Sequence, residues 1–338
     1  MKKYIYILSL LLISCQEEIT LDLTQSEEKI VVEGSIENGF PPYVILTKSQ
    51  GYFEGIDSET YNNLFVNDVD SIKIWYFNEE EKVSITLEQI IGLDSLPPIY
   101  TDLSYFENPE NYEFSKEGRT YFLEINWNNQ IISSSTTIPE VTPLDCLWVE
   151  KSENAEDKFK YDIRALYSDP GDQNNNILVK SKRIQHYEKK DSLECQVNNI
   201  PDFSLKLIDA GADVLINGQT FETYFPRPRD SGFPTGKYNG YHMKKCKGDS
   251  IEFLQDVVLI KYCQIDEPSL KFWRGLIRQV GTNGNPFAEP MNLVSNINNG
   301  FGVFTGYGSA YYKVNIIENT VIKDQYTTSE GLNILDIF

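Results

Sequence analysis

Cys15 is the residue whose chemistry is most sharply specified by its neighbours. Lys2 and Lys3 make a short basic start, Tyr4–Ser14 carries no charge, and Leu12-Ile13-Ser14 leads straight into the cysteine. An aliphatic residue, a small residue and then cysteine at the end of an apolar stretch is the lipobox pattern. There the thiol is alkylated by diacylglycerol before the leader is cut away. As a helix, this run would reach only about 16 Å, roughly half of the ~30 Å hydrocarbon core. Residues 1–14 therefore read as an export signal rather than a spanning helix, and cleavage makes Cys15 the first residue of the mature chain. The covalent lipid on Cys15 is the only added group expected. Two or more acyl chains hold stably, at about 0.8 kcal/mol per buried methylene, where one binds only marginally.

The other thiols, Cys146, Cys195, Cys246 and Cys263, are far apart and form no C-x-x-C pair. Zinc, iron–sulfur and redox-dithiol sites need closer spacing. In an exported chain four cysteines favour two disulfides, with three connectivities open. The favoured set is Cys195–Cys246, closing an irregular insertion, with Cys146–Cys263 tying neighbouring strands; free buried thiols are the alternative. Only His186 and His242 could act as an imidazole base, and no G-x-S-x-G accompanies them, so a serine triad is not indicated. Among 50 acids some pair will always lie at glycosidase spacing, which discriminates nothing. No catalytic residue is assigned. The acid-and-amide run Ser168–Asn176 offers hard oxygen ligands of the kind calcium takes, Asp169 and Asp172 foremost, without EF-hand spacing. A turn between two strands explains Asp-Pro-Gly equally well. Tyr224, Phe225, Phe233, Tyr238 and Tyr241 fall in a Pro- and Gly-rich stretch, Thr223–Tyr241, that reads as too irregular for a strand. Rigid aromatics on loops suit a ligand or partner contact, or plug the loop onto its own core.

These residues must be held mostly by β-structure. Lys29–Glu37, Tyr43–Ser49, Ser71–Phe77, Lys82–Leu87, Arg119–Trp127 and Gln130–Ile138 carry β-branched and aromatic residues, often alternating with polar ones. Period two in short segments bounded by Asn, Gly and Pro predicts half-buried antiparallel strands. Six such runs fit an N-terminal immunoglobulin- or transthyretin-like β-sandwich over residues 29–140, behind a polar tether over 15–28. Two prolines in Thr136–Asp145 mark the preferred boundary. A second antiparallel β-rich domain, 141–338, follows, with strands at Leu147–Ser152, Phe159–Tyr167, Asn176–Glu188, Ile251–Cys263 and Gly302–Asn315, and an irregular insertion over about 195–250. One helix is signalled at about 266–280: Asp266 can cap it, Pro268 sits in its first turn, Leu270, Trp273, Ile277 and Val280 share a face, and Gly281 stops it. The 338 residues, 41% of them apolar, describe a folded, water-soluble body of about two domains. A net charge of −20 with no basic block excludes nucleic acid as a partner and a polybasic patch as a membrane anchor.

Taken together, Ile30–Ile36, Tyr43–Phe53, Gly118–Ile125, Thr136–Asp145, Ser168–Asn176 and above all Asn285–Gly308 (NPFAEPMNLVSNINNGFGVFTGYG) resemble a Bacteroidota surface-lipoprotein family, a domain of unknown function associated with TonB-dependent outer-membrane receptors. Gln16-Glu17-Glu18 resembles the surface-export signal of lipoproteins from the same bacteria. The resemblance implies an exported β-rich lipoprotein on the extracellular side of the outer membrane, with a TonB-dependent receptor as partner, and it supplies no catalytic residues. The reading that results is a non-enzymatic accessory, ligand-capture or lid subunit of a nutrient-uptake receptor. Its ligand, whether small molecule, peptide or glycan, is not identified. An adhesin or structural surface module is the alternative, and a secreted hydrolase ranks third.

Overall fold

The computed structural model describes residues 28–50, 63–90, 97–151, 161–189, 198–201, 205–213, 217–225, 251–281, 292–316 and 332. The alternating runs form strands: β1 (Ile30–Glu37), β2 (Tyr43–Lys48), β3 (Ser71–Asn78), β4 (Glu81–Thr86), β5 (Glu88–Gln89), β6 (Ile99–Thr101), β7 (Thr120–Trp127), β8 (Gln130–Thr137), β9 (Cys146–Lys151), β10 (Tyr161–Ser168) and β11 (Asn176–Lys189). The chain continues with β12 (Asn198–Pro201), β13 (Lys206–Ala212), β14 (Thr220–Phe225), β15 (Ile251–Ile265), helix α1 (Glu267–Gly281) and β16 (Phe301–Asn315). The segment read as an irregular insertion thus contributes three strands, β12, β13 and β14.

One long sheet organises the molecule. Its nine strands run β12-β11-β15-β16-β1-β2-β6-β5, with β13 pairing to β11 beside β12. It takes strands from both sides of Glu140. Two smaller sheets, β4-β3-β7-β8 and β14-β10-β9, cover one of its faces. Against the first, the inward residues Ile30, Val32 and Ile36 of β1 and Val44 and Leu46 of β2 meet Ile72, Ile74, Leu123, Ile125 and Ile132. Against the second, Val179, Val258, Ile260, Tyr262, Tyr312 and Val314 meet Leu147, Val149, Ile163 and Tyr167. These are two open sandwiches sharing one sheet, each built by the period-two burial that strand alternation dictates.

The central strands β15 and β16 are buried on both faces. Residues 257–265 and 303–312 are buried without interruption, which explains why β16 reads as a nearly continuous apolar and aromatic run. On the far face α1 packs Leu270 and Trp273 against Leu178, Cys263, Ile265, Val303 and Tyr307. Asp266 caps the helix as expected: its Oδ1 accepts from Ser269 N–H at 3.0 Å. Its Oδ2 accepts from Thr136 O–H at 2.7 Å and Thr137 N–H at 3.2 Å, tying the cap to the end of β8. Val280, expected on the buried face, is instead 66% exposed in the last turn.

The proline-bearing segment after β8 crosses directly over β16. A β-carbon on Gly306 would sit 2.4 Å from the carbonyl oxygen of Thr137, and one on Gly308 would sit 2.2 Å from that of Pro139. Only glycine permits this approach. Gln264 clamps the crossing, its Oε1 accepting from Thr142 N–H at 3.0 Å while its Nε2 donates to Thr142 O at 3.0 Å. Tyr312 O–H accepts from Leu144 N–H at 2.7 Å.

β1 runs parallel to β16, from Val31 opposite Phe301 to Glu37 opposite Tyr307. A buried ion pair reinforces the join across three adjacent strands. Lys261 Nζ of β15 donates to Glu37 Oε2 of β1 at 2.5 Å, and Tyr311 O–H of β16 donates to Glu37 Oε1 at 2.6 Å. Glu37 is 3% exposed and Lys261 4%. Burying either charge alone is expensive, so removing one partner should cost about 3–5 kcal/mol, whereas replacing both by apolar groups leaves no stranded charge. Lys261→Met is therefore expected to lower the unfolding free energy by about that amount, and Glu37→Leu/Lys261→Met to be less destabilised than the two singles summed. Urea titration of the four proteins measures this; strict additivity would mean that the pair is not coupled.

Candidate functional site

Among the described residues the second sandwich has an open side between two edge strands. Among the described residues β13 pairs only with β11, placing Asp209 opposite Val179 and Gly211 opposite Ile177. Directly opposed residues share a face, so Asp209 and Gly211 project toward the same side as the apolar Ile177 and Val179. Among the described residues β14 pairs only with β10, and it sets Phe221, Thr223 and Phe225 opposite Tyr167, Ala165 and Ile163, which face the core. Between the edges lies a cleft of about 190 Å³. Ile177, Val179 and Tyr262 form its floor, the backbone and side chains of 209–213 one wall, and Phe221, Thr223 and Phe225 the other.

A hydrogen-bond network supplied by the acid-and-amide run holds Asp213 at the end of the wall formed by 209–213. Tyr167 O–H donates to Asp169 Oδ1 at 2.9 Å, and Asn175 Nδ2 donates to the same oxygen at 3.2 Å. Gly218 N–H donates to Asp169 Oδ2 at 2.9 Å. Asn175 N–H then donates to Asp213 Oδ2 at 2.7 Å, while Asp213 N–H donates to Asn175 O at 3.1 Å. Burial, and then donation to Asp169, pushes the Tyr167 phenol well above its ordinary range. Tyr262 is pushed up by burial and by neighbouring Tyr167. Both phenols hold their protons, so the network is a fixed array of donors and acceptors. One acceptor is left over: Asp213 is 1% exposed, and its Oδ1 has no hydrogen-bond partner among the described residues.

The residues singled out by sequence are distributed unevenly around this feature. Asp169 is buried as a strut of the network, whereas Asp172 is exposed on the turn. Among the described residues no three His, Cys, Asp or Glu gather as a metal site. Tyr224 and Phe225, expected on an irregular loop, are the last two residues of β14, and strand alternation sends them opposite ways: Tyr224 is 47% exposed while Phe225 is buried against the cleft. Phe233, Tyr238, Tyr241 and His242 lie outside the described residues, as do Cys15, Gln16, Glu17, Glu18, Cys195 and Cys246. Asp213, Tyr262 and Phe221 were not anticipated. The signal for them was a run of alternating acids and small residues, Asp209-Ala-Gly-Ala-Asp213, followed by the alternating aromatics of Thr220–Phe225. Small side chains opposite large ones leave space.

The expected Cys146–Cys263 disulfide does not form; both are free thiols. Cys263 points to the helical face of the long sheet, beside Leu178 and Leu270, and donates its S–H to Leu178 O at 3.1 Å. Cys146 opens β9, which covers the opposite face. The sheet itself separates the two sulfurs, and a disulfide needs Cα atoms within about 7 Å. Burial pushes the Cys263 thiol up to about 12, so it stays protonated and unreactive.

On that same helical face Lys180 Nζ stands 4.6 Å from the Trp273 ring centre and 5.4 Å from that of Tyr307, and it makes no ion pair among the described residues. Burial first, and repulsion from Lys261 second, lower its pKa from the ordinary 10.5 to about 8. Between about pH 8 and 10.5 the unfolded chain binds more protons at this residue than the folded one, so its contribution to stability rises with pH across that window. Below the window the folded protein bears the cost of a poorly solvated cation. Lys180→Met is expected to stabilise the protein at pH 7 by on the order of 1–3 kcal/mol, with the advantage fading by about pH 10. Denaturation at the two pH values tests this, and an equal gain at both would assign it to packing instead.

A model of a family described as a domain of unknown function, DUF4249, matches residues 16–313. The matched stretch starts one residue after Cys15 and takes in both sandwiches, the cleft and nearly all of β16. None of the curated proteins compared with the chain matches it. The family model covers far more than half of the sequence, and the chain belongs to the DUF4249 family, whose function is unknown.

Proposed function

We propose that this protein is a lipid-anchored subunit on the extracellular side of the outer membrane, working without catalysis as the ligand-capture or lid component of a TonB-dependent nutrient receptor. The observation that carries the reading is the position of Cys15: a lipobox cysteine immediately ahead of the family-matched region. The segment from Cys15 to Glu28 could extend about 46 Å at most, enough to hold the body clear of the headgroups. The cleft between β13 and β14 supports the capture reading. Its floor and one wall are apolar or aromatic and its other wall carries carboxylates, the mixture typical of ligand sites.

An adhesin or structural surface module is the second reading, favoured by the exposed Phe77 and Ile131, each 55% exposed, on the outer side of the four-stranded sheet. Deleting the gene separates the two, since uptake predicts failure to grow on one nutrient and adhesion predicts failure to attach. For the anchor, metabolic labelling with a palmitate analogue should tag the wild-type chain, and Cys15→Ser should abolish the tag and release the protein from membranes. For the partner, extraction in mild detergent should bring down a barrel receptor with the lipoprotein. Recovery of the lipoprotein alone would count against the pairing.

A further inference from the structure

Lys29 is the last residue before β1, and its surroundings show where the tether meets the body. Its amine stands 5.2 Å from the ring centre of Phe301, and Phe301 pairs with Val31 in the parallel join. Phe301 is 46% exposed, although residues 303–312 of the same strand are buried without interruption. The turn ahead of it reaches the β7–β8 hairpin. Asn299 Nδ2 donates to Ile131 O at 2.9 Å, and Asn298 bridges to Ser133. Ile131, next to the hairpin turn, is 55% exposed. Two large apolar side chains therefore stand at one end of the first sandwich, beside the exposed turn residues Asn128, Asn129 and Asn299. Neither belongs to the clusters that pack the two sandwiches, so the fold does not account for them.

Position indicates what meets them. A lone exposed apolar residue is ordinary, but these two lie beside the chain's exit toward Cys15. The segment from Cys15 to Glu28 reaches about 46 Å at most, and Glu28 is paired with Lys48 at 3.3 Å on the same end. A body held by so short a reach stays in a layer beside the bilayer, at a local concentration on the order of millimolar. A contact of two side chains, too weak to recruit a free protein, is then enough to orient a tethered one. Charge is balanced here as it is not over the whole chain, which carries −20. Lys29 and Lys48 stand with Glu28 and with Asp70, whose N–H donates to the carbonyl of Asn126, the residue opposite Ile131. Headgroups therefore need not be anionic to accept this end, and anionic ones do not repel it.

We infer that the end of the first sandwich bearing Phe301 and Ile131 seats on the membrane surface, both side chains entering the boundary between headgroups and acyl chains. This rests on the lipid-anchor reading above and gives the anchored body an orientation. The partner is a bilayer rather than the receptor because the anchor brings a bilayer within reach of this end whatever else is bound.

The lipidated full-length chain, purified from membranes and reconstituted in dioleoylphosphatidylcholine vesicles, tests this with tryptophan as the probe. Bromines on the acyl chains quench indoles that enter the bilayer, and the four native tryptophans give the background. In vesicles of the acyl-brominated lipid, Phe301→Trp should lose most of its added emission. Phe77→Trp should lose none. Phe77 is 55% exposed as well, but Ile131 is level with Ser71 through Asn126, and Phe77 lies six residues further along β3, about 20 Å away. Adding Ile131→Asp to Phe301→Trp should relieve most of the quenching and keep the thermal transition, while the chain still floats with the vesicles because its acyl chains hold it there. Flotation without quenching of Phe301→Trp, equal quenching of Phe77→Trp, or undiminished quenching in the double variant would overturn the inference and leave the anchor standing. In the first of these cases, loss of receptor co-purification in Ile131→Asp would assign the patch to the receptor instead. A chain that does not float with vesicles at all overturns the anchor reading and this inference with it.

Discussion

Strand β1 can complete its hydrogen bonds only with the far end of the chain. One edge is served by β2, its neighbour in sequence, but the other is served by β16, in parallel register over seven residue pairs. Parallel neighbours require a long crossover, and here nearly the whole polypeptide is that crossover. The two open sandwiches therefore share a common sheet instead of standing as beads on a string. The Glu37–Lys261 pair with Tyr311 sits where the three strands β1, β16 and β15 lie side by side. Its role is one of register: a one-residue slip would carry each charge to the opposite face and leave it unpaired.

The same join explains why the proline-bearing segment after β8 is held so tightly. The chain must pass from the first small sheet to the second across β16, and it does so at backbone contact over Gly306 and Gly308. The prolines end the preceding strand. The glycines, more than a hundred residues later, make the crossing possible, and Gln264 and Tyr312 satisfy the crossing segment's polar groups.

Among the described residues β13 and β14 each pair along one edge, and the cleft lies between them. Edge strands with free backbone groups are a hazard that proteins usually blunt with charge. Asp209, exposed on β13, does so here, while Asp213 is turned inward and held by Asn175. The acid-and-amide run looked, as a sequence, like a source of metal ligands. In the fold its buried members are structural: Asp169 orders the turn and Asn175 orients Asp213.

What could be read without a structure was what local pattern encodes. The expectation of a leader and a lipobox cysteine rests on contiguous residues, the strands on period-two alternation, and helix α1 on its cap, proline and apolar face; all of these are written within a few turns or pairs of residues. Tyr224 and Phe225 were misjudged because the prolines and glycines that follow them masked a short edge strand. Pairings over long separations have no such local mark. Nothing near Cys146 or Cys263 records that a sheet will come between them, nothing near Asp213 records that Asn175 will hold it, and nothing near Ile30 names β16 as its partner. Those facts are decided by which surfaces meet when distant strands share a sheet, and only the tertiary structure carries that information.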